Sequence, residues 1–390
     1  MGYEKSGLKA WLPVIGLTFS AFIFNTSEFI PIGLLSDIAA DFSITESHAG
    51  LMITVYAWVV ALASLPLMLV FAKTESKKLM LSITALFVVS HVLSGLASDF
   101  YMLMLSRMGV ACAHAIFWSI VTPLAVKTAP EGKQSTALSF IVSGSSIAMI
   151  VGLPLGRTIG LYAGWRATFL IIGAVALIIL CILAAVLKKT PGESNFSIRK
   201  LPALFKTPAL LGIYLITVIA ITGHFTGYSY IEPFMGQVAG MGSTLITLVL
   251  TLFGVVGIFG SVIFSKFYDR HPGFFIKYAV SGICISLLLL QAASFSIWSE
   301  FLLCVFWGLA INSYNLVFQS EIIRNAPQGT AVAMSIYSGI YNVGIGTGAL
   351  VGGAVCDGTG IQYIGYVGGA IVLIALVYGA KKLFPVLAGK

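Results

Sequence analysis

The segment Lys127-Thr-Ala-Pro-Glu-Gly132 ends one apolar stretch of the chain, and a close copy, Arg324-Asn-Ala-Pro-Gln-Gly329, ends another. Each copy leads into a glycine-rich apolar stretch with a Ser-Gly pair, Ser143-Gly144 after the first and Ser338-Gly339 after the second. Repetition of a connecting segment together with the helix that follows it indicates that the chain consists of two related halves.

The repeated segments belong to a series of apolar stretches with short polar connections. Hydrophobic residues make up 58% of the 390 residues and charged residues 9%, well below the roughly 25% charged content of soluble domains. Only helices and closed barrels satisfy the backbone in lipid, and barrel strands are much shorter than these stretches. We place the spans at residues 10–34, 47–72, 79–98, 100–126, 134–160, 165–187, 208–236, 243–265, 274–295, 299–323, 330–356 and 361–384. The sequence predicts an all-α integral membrane protein with twelve transmembrane helices in two pseudo-symmetric six-helix bundles.

The longest polar connection separates the sixth span from the seventh and contains Pro191, Gly192 and several basic residues. Its composition is typical of a linker. We therefore predict an N-terminal six-helix bundle over residues 1–187, a cytoplasmic linker over 188–207 and a C-terminal six-helix bundle over 208–390. Two bundles joined in this way can rock against each other and open a midplane site to each side in turn.

The distribution of the basic residues predicts the orientation in the membrane. Nineteen of the 22 lysines and arginines lie in, or within a few residues of, the amino terminus, the even-to-odd connections or the carboxyl terminus, namely Lys5, Lys9, Lys73, Lys77, Lys78, Lys127, Lys133, Lys188, Lys189, Arg199, Lys200, Lys206, Lys266, Arg270, Lys277, Arg324, Lys381, Lys382 and Lys390. Positive charge marks the cytoplasmic side, so both termini are expected there. This bias accounts for the net charge of +8 without a nucleic-acid partner. Span one is too long for a cleavable signal peptide, and we expect it to be retained.

The sequence lacks the motifs that are typical of several other classes of function. The five cysteines stand singly within spans, without the paired spacing of a disulfide framework or a metal site. No phosphate-binding Gly-Lys-Ser loop is present, which argues against an ATP-driven pump. We expect no cofactor and no metal. No catalytic motif supports a membrane-embedded enzyme.

Motifs in five spans point to a family. They are Phe24-Asn-Thr-Ser-Glu-Phe-Ile-Pro-Ile-Gly-Leu-Leu35, Tyr56-Ala-Trp-Val-Val-Ala-Leu62, His114-Ala-Ile-Phe-Trp-Ser119, Gly152-Leu-Pro-Leu-Gly-Arg157 and Tyr228-Ser-Tyr-Ile-Glu-Pro-Phe234. With these motifs essentially the whole chain resembles the Major Facilitator Superfamily. Within it, the chain resembles the drug:proton antiporter branch and most closely the bacterial sugar efflux transporters of the arabinose-exporter type. The resemblance implies a secondary transporter of the bacterial inner membrane.

The gating loops of that family are only partly present. The Gly-x-Leu-Ala-Asp-Arg-x-Gly-Arg-Arg pattern is degraded in the segment from Leu69 to Lys78, where Lys73 occupies the place of the acid. The corresponding loop of the second half keeps Asp269-Arg270. Charge-based gating contacts are therefore expected to depend on Asp269 and Arg270.

Three ionisable residues within spans are the candidates for proton coupling. Arg107 and His114 are seven residues apart on span four and therefore share a helix face, which Trp118 continues one turn later. Glu28 lies in span one, one turn after Asn25 and shortly before Pro31, which could open that helix. Intramembrane charges are costly and usually face a cavity or a partner. A purely structural hydrogen-bonding role is the alternative for each.

Polar and aromatic residues on other spans are the candidates for substrate binding. His224, Tyr228 and Glu232 follow one another at four-residue steps on span seven, although a gating role competes for Glu232. Amide and hydroxyl groups suit a polyol, and aromatic faces can cover a sugar ring. Helix packing is the alternative role for these amides and tyrosines. The remaining candidates are Asn25, Tyr56, Trp58, Phe117, Trp118, Asn312, Asn315, Gln319, Tyr337 and Tyr341.

These features together predict a proton-coupled exporter of small neutral sugars, arabinose or related glycosides, that works by alternating access as a monomer. The direction of transport and the cargo follow from the resemblance. Multidrug efflux is the first alternative, since the same branch handles apolar and cationic compounds. A passive channel or facilitator is the second, although it would not need titratable groups such as Glu28 and His114.

Overall fold

The computed structural model describes residues 8–71, 73–191, 207–326 and 330–388. Within these ranges the chain is helical and contains no β-strand. The helices are α1 (Leu8–Gly33), α2 (Leu35–Asp41), α3 (Glu46–Phe71), α4 (Ser76–Gly95), α5 (Phe100–Thr128), α6 (Gln134–Ile147), α7 (Leu153–Ala163), α8 (Trp165–Val186), α9 (Pro208–Tyr228), α10 (Ile231–Gln237), α11 (Ser243–Phe267), α12 (Pro272–Ala293), α13 (Ile297–Asn325), α14 (Thr330–Gly358), α15 (Ile364–Tyr378) and α16 (Phe384–Ala388).

Eleven segments of the described chain are long and apolar enough to cross a membrane, and the shorter apolar helix Thr136–Ile147 continues into α7 to complete the fifth predicted span. Many outward-facing side chains are large and apolar, such as Phe259 and Ile178. Exposed apolar surface on this scale is unusual for a soluble monomer and matches lipid-facing helices. The predicted all-α, twelve-span fold is confirmed.

A single π turn, Ala148–Gly152, joins α6 to α7. Pro154 follows it directly and has no backbone N–H to give to the residue four positions earlier, and such a loss favours local widening of a helix. Span five therefore contains this π turn just before Pro154. A side chain at Gly152 would lie 2.6 Å from Thr26 Oγ1, so this segment packs against α1 at a distance that only glycine permits.

Span one departs from its expected geometry. Pro31 lies inside α1, and the helix continues to Gly33 before the break at Leu34. A proline removes the hydrogen bond to the carbonyl four residues earlier, which here belongs to Ser27. The helix stays regular because another donor takes that carbonyl, as described below.

The connection before α5 shows how a helix start is fixed. Asp99 is the N-cap residue, and its carboxylate accepts a hydrogen bond from the Met102 backbone N–H at 2.8 Å. This bond, together with one from the Ser98 hydroxyl, holds the pKa of Asp99 below its ordinary value. Side-chain capping of this kind satisfies a backbone donor that has no partner within the helix.

Packing divides the chain into two units. The N-terminal unit comprises Met1–Gly33 and Leu62–Asn195, and the C-terminal unit comprises Leu34–Ala61 and Phe196–Lys390. The segment Leu34–Ala61 thus packs with the second half of the chain, although it belongs to the first half by sequence. The division into bundles of residues 1–187 and 208–390 stays a prediction. Residues 192–206 of the expected linker lie outside the described ranges, as do residues 327–329 of the second repeated segment.

Candidate functional site

The first cluster in the N-terminal unit centres on the carbonyl of Ser27 that Pro31 leaves unpaired in α1. Arg107 of α5 donates from Nη2 to this carbonyl at 3.0 Å and from Nη1 to the Ser27 hydroxyl at 3.2 Å. Its guanidinium also lies 5.6 Å from the ring centroid of Phe169. Arg107 is only 1% exposed. In this conformation it therefore supports span one at its proline, and its charge acts on both Glu28 and His114.

His91 of α4 completes this cluster and was missed by the sequence analysis. Its Nε2 lies 2.8 Å from the Ser27 hydroxyl, and its ring packs 4.4 Å from the Phe87 ring. The residue is fully buried, and Nδ1 has no hydrogen-bond partner among the described residues. A histidine within a predicted span was the available signal, since intramembrane ionisable residues are rare.

Glu28 and His114 approach each other beside Arg107. The distance from His114 Nε2 to Glu28 Oε2 is 3.7 Å, and both side chains are largely buried. Trp118 Nε1 donates a hydrogen bond to the same His114 nitrogen at 2.8 Å. Because an indole nitrogen can only donate, His114 Nε2 is an acceptor here and carries no proton. A proton that arrives at this nitrogen must displace the indole hydrogen bond, and it would then face the Glu28 carboxyl.

The two other substrate candidates of this unit serve packing in this conformation. Phe117 is fully buried and stacks on Phe24 at 4.1 Å between ring centroids. Asn25 donates from Nδ2 to the Ser145 hydroxyl at 2.5 Å and so joins α1 to α6. Trp118, in contrast, is partly exposed.

In the C-terminal unit, His224 and Tyr228 lie in an aromatic cluster. His224 Nδ1 accepts a hydrogen bond from Trp307 Nε1 at 3.1 Å. The Tyr228 ring stacks on the imidazole at 5.2 Å and lies 5.1 Å from the ring of Phe253. His224 is buried, whereas Tyr228 is partly exposed. Trp307, which was not predicted, thus fixes the orientation of His224.

Glu232, the third member of the predicted stripe, is buried and lies apart from this cluster in α10. Its Oε2 accepts hydrogen bonds from the Ser36 hydroxyl at 2.8 Å and from the Ser36 backbone N–H at 3.2 Å. Ser36 belongs to α2, in the segment that packs with the second half. The contact favours a latch between α2 and α10 for Glu232 over a role in substrate contact.

Of the predicted aromatic residues of span two, which lies in α3, Trp58 also contacts the second half. Tyr56 is buried. Trp58 is partly exposed, and its indole lies against Gly346 of α14, where an added Cβ would lie 2.6 Å from Nε1. Near one end of α3, Ser47 donates to Asp357 of α14 at 2.5 Å. These contacts explain why the segment containing α3 groups with the second half.

The amides of span ten, which lies in α13, differ in exposure. Asn312 donates from Nδ2 to the Gly257 carbonyl at 2.5 Å and thus joins α13 to α11. Asn315 is partly exposed and Gln319 is exposed. On α14, Tyr337 is buried and Tyr341 is partly exposed, with 5.9 Å between their ring centroids.

A comparison with protein families shows that the model of the Major Facilitator Superfamily matches residues 17–333. The chain belongs to the Major Facilitator Superfamily. The membership makes it a multi-pass membrane transporter for a small-molecule substrate.

Solved structures of other transporters share the fold at low sequence identity. A bacterial homolog of the human lysosomal transporter Spinster, in an inward-facing and unoccupied conformation, gives a TM-score of 0.74 at 15% identity over 96% of both chains. The peptide transporter POT in complex with sulfate gives 0.75 at 12% identity over 97% of this chain and 95% of that one. The complex of POT with alafosfalin gives 0.75 at 12% identity over 100% and 96%.

The superfamily loop signature retained in the second half forms a charged network. Asp269 Oδ1 lies 3.0 Å from Nη2 of Arg324, and Arg324 Nη1 lies 3.2 Å from Oε1 of Glu321. The Tyr268 hydroxyl donates to the same Glu321 oxygen at 2.6 Å. Burial and this hydrogen bond raise the pKa of Tyr268. Arg270 of the same loop is exposed.

The network therefore centres on Arg324, the first residue of the second repeated segment. Glu321 and Tyr268 were not predicted from the sequence, although Tyr268 directly precedes the Asp269-Arg270 motif and Glu321 lies three residues before Arg324.

Proposed function

We propose that this transporter is a proton-coupled exporter of small neutral sugars, arabinose or related glycosides, that works by alternating access. The observation that carries the proposal is the arrangement of Glu28, His114 and Trp118, in which an acid and an indole approach the same imidazole nitrogen. A passive facilitator has no need of such a titratable pair within its helices.

The coupling step follows from the single lone pair of His114 Nε2. While Trp118 donates to it, the imidazole is neutral at this nitrogen. Protonation breaks that hydrogen bond, releases the indole and creates an ion pair between His114 and Glu28. Arg107, held by Ser27, keeps a fixed positive charge beside the pair. A proton and the position of Trp118 are thereby linked.

Trp118 connects this step to a sugar. Its indole has an apolar face suited to the C–H side of a pyranose or furanose ring, and its N–H is a hydrogen-bond donor. A released indole that covers a sugar would couple proton binding to cargo binding.

The test uses the purified full-length protein in proteoliposomes. Radiolabelled arabinose, other pentoses, glycosides and cationic drugs are each supplied with and without an imposed pH gradient. We expect the gradient to drive concentrative transport of a sugar, and we expect Glu28→Gln to abolish this driving while exchange of sugar persists. The matched control is Glu131→Gln, since Glu131 is exposed. Gradient-driven sugar transport by the Glu28→Gln protein would contradict the coupling role, and transport without any response to the gradient would indicate a facilitator.

Multidrug efflux remains the second candidate because of the aromatic cluster of the C-terminal unit. His224, Tyr228, Phe253 and Trp307 place several rings together, and aromatic faces bind cationic and apolar compounds as well as sugars. Transport of the cationic drugs but of no sugar in the same assay would favour this alternative.

We further propose a monomer in the bacterial inner membrane with both termini in the cytoplasm. The basic residues support the orientation, because they concentrate in the connections assigned to one side. Labelling of single cysteines introduced into opposite connections of intact cells tests it. Labelling from outside at a connection such as the one with Lys77 and Lys78 would reverse the assignment.

A further inference from the structure

A buried acid in the C-terminal unit has no part in the mechanism above. Glu300 lies in the first turn of α13 and is 0% exposed. Neither carboxyl oxygen has a hydrogen-bond partner among the described residues. The ion pairs within the same ranges join other residues. An ionised carboxylate in such a place would lose its hydration without compensation, at a cost of several kcal/mol or more.

On the described helices that pack against α13, no lysine or arginine lies near the Glu300 end. Cys304 lies one turn later on the same helix and is also buried. The helix α13 packs mainly on α11 and α12 and also on α9 and α14. Near the Glu300 end these helices carry Tyr228 and His224 on α9 and Cys356 and Asp357 on α14, whereas their lysines, Lys266 on α11 and Lys277 on α12, lie toward the opposite end.

His224 cannot act as the counter-ion in this conformation. Trp307 donates to its Nδ1, and since the indole only donates, that nitrogen carries no proton and the imidazole is neutral. Trp307 is seven residues after Glu300 and shares its helix face. The fixed neutral state of the only nearby histidine on α9 therefore leaves protonation as the way in which Glu300 avoids an uncompensated charge.

We propose that Glu300 is a second proton-binding site of the transporter, located in the C-terminal unit and distinct from the Glu28–His114 pair of the N-terminal unit. A proton from solution forms an O–H bond with one carboxylate oxygen in the present conformation and returns to solution when a conformational change hydrates the carboxyl. The two units then resemble each other in composition. Each combines a glutamate, a histidine and a tryptophan that donates to that histidine.

The helices that supply the glutamate, the histidine and the tryptophan differ between the two units. In the N-terminal unit, α1 supplies the acid and α5 the histidine and the tryptophan. In the C-terminal unit, α9 supplies the histidine and α13 the acid and the tryptophan. Because the acid and the histidine come from non-corresponding helices, the two sets of residues do not occupy equivalent positions in the two halves.

Infrared difference spectroscopy of the purified full-length protein tests the site directly. Spectra are recorded as the pH is raised from about 5, where an ordinary glutamate with a pKa of about 4.3 is mostly ionised. We expect a carboxylic-acid C=O band that disappears with rising pH in the wild type and is absent from Glu300→Gln. Glu28→Gln, the matched variant of the other unit, should retain this band.

Two outcomes would overturn the proposal. If Glu300→Gln has the same carboxylic-acid bands as the wild type, Glu300 is ionised. If the band is lost in the variant but does not titrate in the wild type, Glu300 is a permanently neutral packing group. Should Glu300→Gln fail to fold, as judged by gel filtration, Glu300→Asp takes its place, and the band must then shift rather than vanish.

A transport measurement tests whether Glu300 takes part in the transport cycle. This test rests on the proposed proton coupling. In proteoliposomes with a pH indicator, Glu300→Gln is expected to move fewer protons per sugar than the wild type. An unchanged ratio would remove Glu300 from the transport cycle. The two proposals fail separately, because the infrared result does not depend on the cargo, and loss of gradient-driven transport in the wild type would refute the proposed function alone.

Discussion

Arg324 pairs with two carboxylates of very different burial, which makes its network a sharp test of the structure. Asp269 is 85% exposed and Glu321 is 4% exposed, while Arg324 itself is about half exposed. Exposed ion pairs contribute roughly 0–1 kcal/mol. Removing one partner of a buried pair costs roughly 3–5 kcal/mol, because the other charge stays buried. The same arginine should therefore have two partners of unequal importance.

We expect Asp269→Asn to lower the free energy of unfolding by less than about 1 kcal/mol. Arg324→Gln should lower it by about 2–3 kcal/mol, below the full cost of an unpaired buried charge. The reduction arises because Glu321 keeps its hydrogen bonds from the Tyr268 hydroxyl and the Asn325 amide. The double change Arg324→Gln with Glu321→Gln should recover much of the loss, since it removes both charges.

Thermal unfolding of the purified variants, followed by tryptophan fluorescence in one detergent at fixed scan rate, provides the comparison. The four proteins of the Arg324 and Glu321 cycle give the coupling between these two side chains. The reasoning is refuted if Asp269→Asn is as destabilising as Arg324→Gln, or if the double change is no better than the sum of the single ones.

Three further predictions concern other parts of the chain. Trp118→Phe should weaken sugar binding about tenfold, the equivalent of 1.4 kcal/mol, because the indole N–H is lost. A direct binding assay measures this change, and the exposed control Trp298→Phe should have no effect. Equal affinities in both variants would exclude Trp118 from the binding site. Gly152→Ala places a Cβ 3.1 Å from a Cα of α1 and should cost about 1–3 kcal/mol in the same unfolding assay, whereas Gly273→Ala, with open space around it, should cost less. The capping hydrogen bonds of Asp99 hold its pKa below the ordinary value. The stabilising contribution of the ionised Asp99 is therefore present at neutral pH and disappears as the pH falls through the lowered pKa. The difference in melting temperature between wild type and Asp99→Ala should shrink between about pH 7 and about pH 3, and a constant difference would contradict the cap.

The candidate site could be predicted only in part. The sequence brought Arg107, His114 and Trp118 to one face of α5, because seven- and four-residue spacings are local properties of a helix. It did not predict that Arg107 would take the Ser27 carbonyl or that Trp118 would compete with Glu28 for one nitrogen of His114. The contacts of Arg107 with Ser27 and of His114 with Glu28 join different helices, and their geometry depends on how the helices pack.

Packing also separated residues that the sequence had grouped. Asn312 and Gln319 were both predicted to bind substrate, but the structure joins Asn312 to the Gly257 carbonyl while Gln319 is exposed. Glu232 lay in one stripe with His224, but the chain bends between α9 and α10 and brings Glu232 to Ser36. A stripe on an ideal helix does not reveal where the helix breaks or which neighbour lies opposite each residue.

The sequence by itself determined that the chain is a duplicated bundle of membrane helices, because the length and apolar character of each span follow from the cost of an unpaired backbone in lipid. It also identified several ionisable residues within those spans, including Glu28, Arg107 and His114, but not His91, Glu300 or Glu321. Only the tertiary structure decided which of them meet, that Leu34–Ala61 packs with the second half, and that Glu300 lies buried with both oxygens unpaired among the described residues. The physical reason is that burial and hydrogen bonding of a side chain depend on contacts between residues far apart in the chain, whereas hydrophobic pattern and helix periodicity are properties of neighbours.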